Sequence, residues 1–284
     1  MHKLSGPGRI LSHFGLQFLE SHVGQLFAYS FLSIRSLFYG SGNRKIDIQQ
    51  IISQIYNTGI KSLPLILMVG TVIGTVLIIN TASLVLRVGF GSSFGDLMVI
   101  AVVRELGPVL TGFLIAGRSG SSLTARIANM KVNTEIDALQ TLGINHIRFL
   151  VMPALIGGIV SVLIANCFFC LSAIGAGFLV AKIAVVFLEG LIRTQLEWGS
   201  YSTSILAALT PFDFAMGIVK PLVFGSIITT NACYYGLHIR NDRRAVPTAI
   251  SQSVVSSFIF IVASDLLLSS IYILGYMNRM SSVI

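Results

Sequence analysis

Charge is what this chain has least of. Only 11% of its 284 residues are Asp, Glu, Lys or Arg, whereas 54% are hydrophobic and the mean hydropathy is +0.84. A soluble domain carries about 25% charged residues, so the composition excludes that class and indicates an integral membrane protein. There is no Gly-Lys dipeptide, hence no phosphate-binding loop of the Gly-x-x-x-x-Gly-Lys-Ser/Thr type, and any ATP hydrolysis must belong to another chain. A His-Glu-x-x-His run is missing too, which removes the commonest zinc-protease pattern. His2, His13, His22, His146 and His238 are scattered without ligand spacing, so no metal site is expected. Cysteine is scarce: Cys167-Phe168-Phe169-Cys170 has the redox spacing but lies in an apolar run, which reads as two buried small residues. The opening residues lack a compact apolar core followed by a small-residue cleavage site, so no signal peptide is expected.

What is present is a set of long apolar runs. Leu63 to Leu86, Leu97 to Gly117, Phe149 to Phe178, Phe214 to Leu237 and Val246 to Tyr276 each reach the roughly 20 residues that cross a bilayer as helix. The expected fold is therefore an all-α membrane protein of five transmembrane helices, forming one domain over residues 1–284 without internal repeats. Within it, residues 63–276 are the five-span bundle and residues 1–62 an amino-terminal elbow. Residues 9–40 mix Phe14, Phe18 and Phe27 with His13, Gln17 and Glu20, a pattern suited to a helix lying in the membrane interface. Thirteen basic residues precede the first span or fall in the second-to-third and fourth-to-fifth loops, against Arg87, Lys182, Arg193 and Arg279 on the other side. The positive-inside rule then places the amino terminus in the cytoplasm. The net charge of +8 follows from that topology and from contact with anionic lipid, not from nucleic acid.

Against this background the charges inside the spans stand out. Glu105, Lys220 and Asp265 fall in the second, fourth and fifth runs, each on the order of 10 to 15 Å below the outer surface at 1.5 Å per helical residue. A charge at mid-membrane costs roughly 2.5 to 3.5 kcal/mol, so three at one level are expected to face each other or a polar cavity. Their excess negative charge would be relieved by a proton, by Arg104 or by a ligand group. Two readings follow: a structural lock between helices, or the polar wall of a substrate cavity in which the base suggests an anionic headgroup.

Between the second and third runs, Asn133 to Gly143 carries helix signals. Thr134 suits an N-cap, Glu135 and Asp137 suit the first turn, and Gly143 suits the stop. The resulting short cytoplasmic helix over residues 133–143, exposing Ile136, Leu139 and Leu142 beside acids, is either a docking knob or a loop helix packed on its own bundle. Gly70-x-x-x-Gly74 offers a helix-packing face, including as a dimer contact. Pro64, Pro108, Pro153 and Pro221 are candidate local breaks in the helices.

The run from Arg104-Glu105-Leu106-Gly107-Pro108 through Ala116-Gly117-Arg118-Ser119-Gly120 to Glu135-Ile136-Asp137-Ala138-Leu139 and Gly143 resembles the MlaE/YrbE permeases. These are the membrane subunits of lipid-transporting ABC complexes that work with MCE proteins. The resemblance extends from about Gln54 to Ile273 and takes in Tyr56-Asn57-Thr58-Gly59, Lys220 and Asp265; it is poor over Asn80 to Phe94 and Glu189 to Pro211. It implies a homodimer of five-span subunits in the bacterial inner membrane, with the plastid inner envelope as the alternative. The implied partners are a cytoplasmic ATPase that binds the ATP, an MCE-domain protein on the outer side and a small cytoplasmic accessory subunit. Glu135, Ile136, Asp137, Leu139, Leu142 and Gly143 would form the coupling helix, and Arg104, Glu105, Lys220 and Asp265 the intramembrane polar cluster. Phospholipid is the preferred cargo, beside fatty acid and sterol-like lipid. The rivals are a membrane-embedded lipid-modifying enzyme, with Glu105 and Asp265 as acid and base, and a non-transporting scaffold.

Overall fold

The computed structural model describes residues 48–88, 94–187, 198–239 and 242–281. The interfacial helix expected over residues 9–40 lies outside the described residues. Within them the chain is helical almost throughout and contains no strand. Five helical stretches are long and apolar enough to cross a membrane: Ile48–Thr81, Asp96–Val132, Phe149–Val180, Pro211–Leu237 and Arg243–Leu274.

The first span starts earlier than the apolar run suggests. Helix Ile48–Thr58 passes through a 3-10 turn, Ile60–Ser62, directly into helix Leu63–Val88, so the elbow segment and the first span are continuous. Its burial is inverted relative to a soluble helix. Gln54 and Thr58 are buried and bonded to each other at 3.0 Å, while Ile48, Ile52 and Tyr56 are exposed. An outward apolar face of this kind is stable only against lipid or another apolar surface.

The second stretch continues as helix Ser121–Val132, and the fourth and third spans form the centre of the bundle. One apolar core joins all five spans through Ile66, Val102, Phe169, Phe224 and Ile261. A second, toward the loop end, joins Leu123, Ile127, Val151 and Ala232. The fifth span is the least covered, exposing Val255, Ile259, Leu266, Leu267 and Ile271.

Small residues set the tightest helix contact. A methyl group built at Gly74 would sit on the Ala173 carbonyl, and one at Gly70 would meet the Ser172 hydroxyl. The Gly70-x-x-x-Gly74 face therefore packs on the third span of its own chain, not on a second copy. Without a hydrophobic drive between helices in lipid, close backbone approach supplies the packing energy.

The prolines do not break the spans. Pro108 and Pro153 each follow a π-helical turn, Val99–Leu106 and Ile147–Val151, and occupy the first turn of the next α-helical segment. Pro221 sits inside the continuous helix Pro211–Leu237. Cys167 is exposed and Cys170 half-buried, both as free thiols, so only the second fits the expectation of a buried small residue.

Candidate intramembrane site and coupling helix

The π-helical turn Val99–Leu106 brings Arg104 and Glu105 into two different networks. Glu105 turns toward the fourth and fifth spans. Lys220 Nζ donates to Glu105 Oε2 at 2.8 Å, to Ser269 Oγ at 2.9 Å and to the Arg104 carbonyl at 2.9 Å. Asp265 Oδ1 lies 2.8 Å from the same ammonium. An ammonium has three protons for these four oxygens, and the Asp265 Oδ1 contact is the least well aligned of them. Ser269 Oγ also lies within 3.3 Å of both Glu105 oxygens.

The two prolines beside these charges explain part of the wiring. Pro108 removes the amide that would bond the Arg104 carbonyl in an α-helix, and Lys220 donates to that oxygen instead. Pro221 does the same to the Gly217 carbonyl, which accepts from Asn166 Nδ2 at 3.2 Å. Each freed carbonyl inside the membrane is thus met by a polar side chain of another span, as an apolar solvent requires.

Arg104 does not join the Lys220 cluster. Its guanidinium donates to Asp213 Oδ1 from Nη2 at 2.6 Å and from Nε at 3.1 Å, reaches the Tyr272 hydroxyl, and stacks 3.9 Å from the Tyr272 ring centroid. Asp213 is almost fully buried and also caps a helix, since its Oδ2 accepts from the Thr210 amide at 3.1 Å while Thr210 Oγ1 accepts from the Asp213 amide at 3.3 Å. This capping box starts the fourth span.

The result is two ion networks side by side, one with an acid for its base (Arg104, Asp213) and one with two acids to one base (Glu105, Lys220, Asp265). Lys220 is 1% exposed, whereas the Glu105 side chain is 36% exposed. The accessible edge of the cluster is therefore carboxylate. The base that suggested an anionic headgroup is enclosed by its partners. Asp213, Ser269 and Tyr272 escape a reading by charge and depth. A signal for them exists in the sequence: Asp265, Ser269 and Tyr272 follow a helical stripe, and Thr210-Pro211-Phe212-Asp213 has the capping spacing.

The loop helix spans Glu135–Thr141. Thr134 occupies the N-cap position, but its φ of 60° is left-handed and its hydroxyl donates to the Asn133 carbonyl, so it caps nothing. The C-terminus is closed as the sequence suggests. Gly143 has φ 71°, its amide donates to the Gln140 carbonyl at 2.9 Å, and the Ile144 amide donates to the Leu139 carbonyl at 3.0 Å. Ile136, expected to be exposed, is buried against Leu123, Ile127 and Leu150, and Leu139 packs on the same cluster. With a repeat of 3.6 residues, Leu142 emerges on another face and is 74% exposed. Asp137 pairs with Lys131 at 2.8 Å, and Glu135 is exposed. Gln140 contacts His146 Nδ1 at 3.0 Å, and burial, with Lys131 second, holds that imidazole below its ordinary pKa.

The described residues contain no group of His, Cys, Asp and Glu that could hold a metal ion. Gly91-Ser92-Ser93-Phe94-Gly95 has the residue spacing of a hydrolase nucleophile elbow, and Gly91, Ser92 and Ser93 lie outside the described residues.

Comparison with known proteins bears on the whole assembly. Residues 51–271 match the family described as Permease MlaE. The "Probable ABC transporter permease protein" of Rickettsia prowazekii is 32% identical over 257 residues, covering 90% of this chain and 94% of that protein. The probable ABC transporter permease protein ycf63 of Porphyra purpurea is 34% identical over 212 residues, 75% of this chain and 77% of the relative. Protein Trigalactosyldiacylglycerol 1, chloroplastic, of Arabidopsis thaliana is 29% identical over 231 residues, 81% of this chain and 63% of that protein.

Proposed function

This chain belongs to the MlaE permease family, and from that premise we propose that it is the membrane subunit of an ABC transporter that moves lipid, phospholipid before other classes. Two copies form the path. A separate cytoplasmic ATPase binds ATP and drives it through the helix Glu135–Thr141 and the exposed Leu142. An MCE-domain protein on the outer side exchanges lipid with it, and a small cytoplasmic subunit accompanies the ATPase. The chain sits in a bacterial inner membrane with its amino terminus in the cytoplasm. A plastid relative named after a galactolipid supports the lipid reading.

The observation that carries the reading is the asymmetry of the intramembrane cluster. A purely structural lock would seal all its charges, yet here Lys220 is enclosed and the Glu105 carboxylate remains at an accessible edge. A carboxylate edge in a membrane path meets hydroxyl and ammonium groups of a headgroup, or a proton. The enzyme alternative has two acids but no nucleophile or metal cluster beside them among the described residues.

The test separates folding from transport. Lys220→Ala alone leaves two acids around a lost base and is expected to cost about 3 to 5 kcal/mol of stability. Adding Glu105→Gln, Asp265→Asn, or both, removes that penalty. With both acids neutralised, complex yield is expected to recover while lipid transfer by reconstituted complex stays at least tenfold below wild type. Transfer at the wild-type rate would make the cluster structural and defeat its assignment to the path.

A further inference from the structure

A second polar site lies at the loop end of the bundle. Where helix Ile48–Thr58 and the turn Ile60–Ser62 cross the second span, a cleft of about 400 Å³ is lined by Asn57, Lys61, Arg118, Ser119, Ser122 and Arg126. It holds three cations and no acid. Arg104, Lys131 and Lys220, by contrast, each have a carboxylate at 2.6 to 2.8 Å. Among the described residues no carboxylate lies within ion-pair distance of Lys61, Arg118 or Arg126.

Two of the three are nevertheless held in place, by neutral acceptors that fix geometry and leave the charge uncompensated. Lys61 Nζ donates to Asn57 Oδ1 at 2.8 Å, and Arg118 donates to the Lys61 carbonyl and to Ser62 Oγ. Beneath them, Ser119 Oγ is buried, 3.0 Å from Ser62 Oγ and 3.2 Å from the Thr58 carbonyl. Oriented guanidinium and ammonium groups beside hydroxyls form a receptor for a phosphate. The volume is that of a small-ligand pocket.

We propose that this cleft binds the phosphate of an anionic phospholipid from the leaflet on the loop side of the membrane, as a site separate from the Lys220 cluster. The surroundings favour a lipid over a free anion. Ile52, Tyr56 and Ile60, on the same crossing segment, are exposed apolar side chains, and Lys61 Nζ lies 5.5 Å over the Tyr56 ring. They give acyl chains an apolar surface next to the phosphate receptor. Arg118 follows Glu105 by thirteen residues in one helical stretch, about 20 Å along the helix. The phosphate therefore lies a leaflet away from the carboxylate edge. The proposal holds whether or not the Lys220 cluster carries cargo.

The test uses the full chain in phosphatidylcholine nanodiscs containing spin-labelled phosphatidylglycerol, with the motionally restricted fraction read by electron paramagnetic resonance. Wild type is expected to select phosphatidylglycerol over phosphatidylcholine. Lys61→Gln with Arg126→Gln, which spares the backbone-anchored Arg118, is expected to weaken phosphatidylglycerol association about fivefold per residue, leaving phosphatidylcholine unchanged. The charge-conserving pair Lys61→Arg and Arg126→Lys is expected to retain selectivity, which separates lost charge from disturbed folding. Undiminished selectivity in the Gln pair overturns the proposal. Displacement of the labelled lipid by inorganic phosphate would make the cleft a free-anion site and overturn the lipid assignment. Loss of selectivity in the neutral variant Lys220→Ala, Glu105→Gln, Asp265→Asn would move the lipid to the other cluster and equally overturn it.

Discussion

Asp213 shows how much one side chain can hold inside a membrane. One oxygen accepts from Arg104 and the other closes the cap of the fourth span, so its removal costs a buried charge partner and a helix start together. Asp213→Ala is expected to lose about 3 to 5 kcal/mol from the unpaired arginine. Asp213→Asn combined with Arg104→Gln keeps shape and removes both charges, and is expected to recover most of that loss. Thermal unfolding of the purified chain in one detergent checks this; an equal loss in the double variant would show that the ion pair is not the cause. The same residue marks a limit of reading by charge and depth. Asp213 lies at the start of an apolar run and looks like a boundary, and only the crossing of the second and fifth spans reveals Arg104 and Tyr272 on its other side.

Among the elements, the loop helix changes meaning most when its packing is known. Spacing alone cannot say which of Ile136, Leu139 and Leu142 faces outward, because a two-turn helix has no fixed rotation until it docks. Here Ile136 is the anchor and Leu142 the free side chain. Leu142→Asp is therefore expected to leave expression and unfolding temperature unchanged while abolishing co-purification of the ATPase. Ile136→Asp puts a charge into the cluster of Leu123 and Ile127 and is expected to lower the yield of the permease itself. Retained ATPase binding by the Leu142 variant would remove this helix from the interface. The contact between the first and third spans gives a second prediction. Gly74→Leu places a side chain where the Ala173 backbone lies, so the spans must separate; a loss of at least about 3 kcal/mol is expected, at the upper end of overpacking costs. A thermal melt checks it, and an unchanged melting temperature would show that this glycine face is not the packed contact.

For the whole molecule, the prediction is topological. A single span, Arg243–Leu274, separates the fourth-to-fifth loop from the carboxyl-terminal segment and puts them on opposite sides of the membrane. Single cysteines at Arg243 and Arg279, in a background without Cys167, Cys170 and Cys233, are expected to react with an impermeant maleimide from opposite faces. Reaction of both from one face would undo the five-span topology. At this scale the molecule also shows an electrostatic polarity: the carboxylate edge of Glu105 lies in the span, and the unpaired trio Lys61, Arg118 and Arg126 at the loop end.

The amino-acid sequence determined the environment, the number of spans and the convergence of Glu105, Lys220 and Asp265. The reason is that apolar run length and helical rise convert residue number directly into membrane depth, and buried charges at one depth must find each other. It also determined the closed end of the loop helix, because Gly143 is what a left-handed stop requires. Tertiary structure alone decided which partner each charge took. Arg104 and Glu105 are adjacent in the chain, and whether they share a network depends on the rotation imposed by the π-helical turn and on which spans cross at that level. It also decided that Lys220 is sealed and Glu105 is not, that Gly74 meets its own chain, and that three cations from two separated segments surround one cleft. These are properties of how helices are placed around one another, and depth along a single helix carries no information about its azimuth.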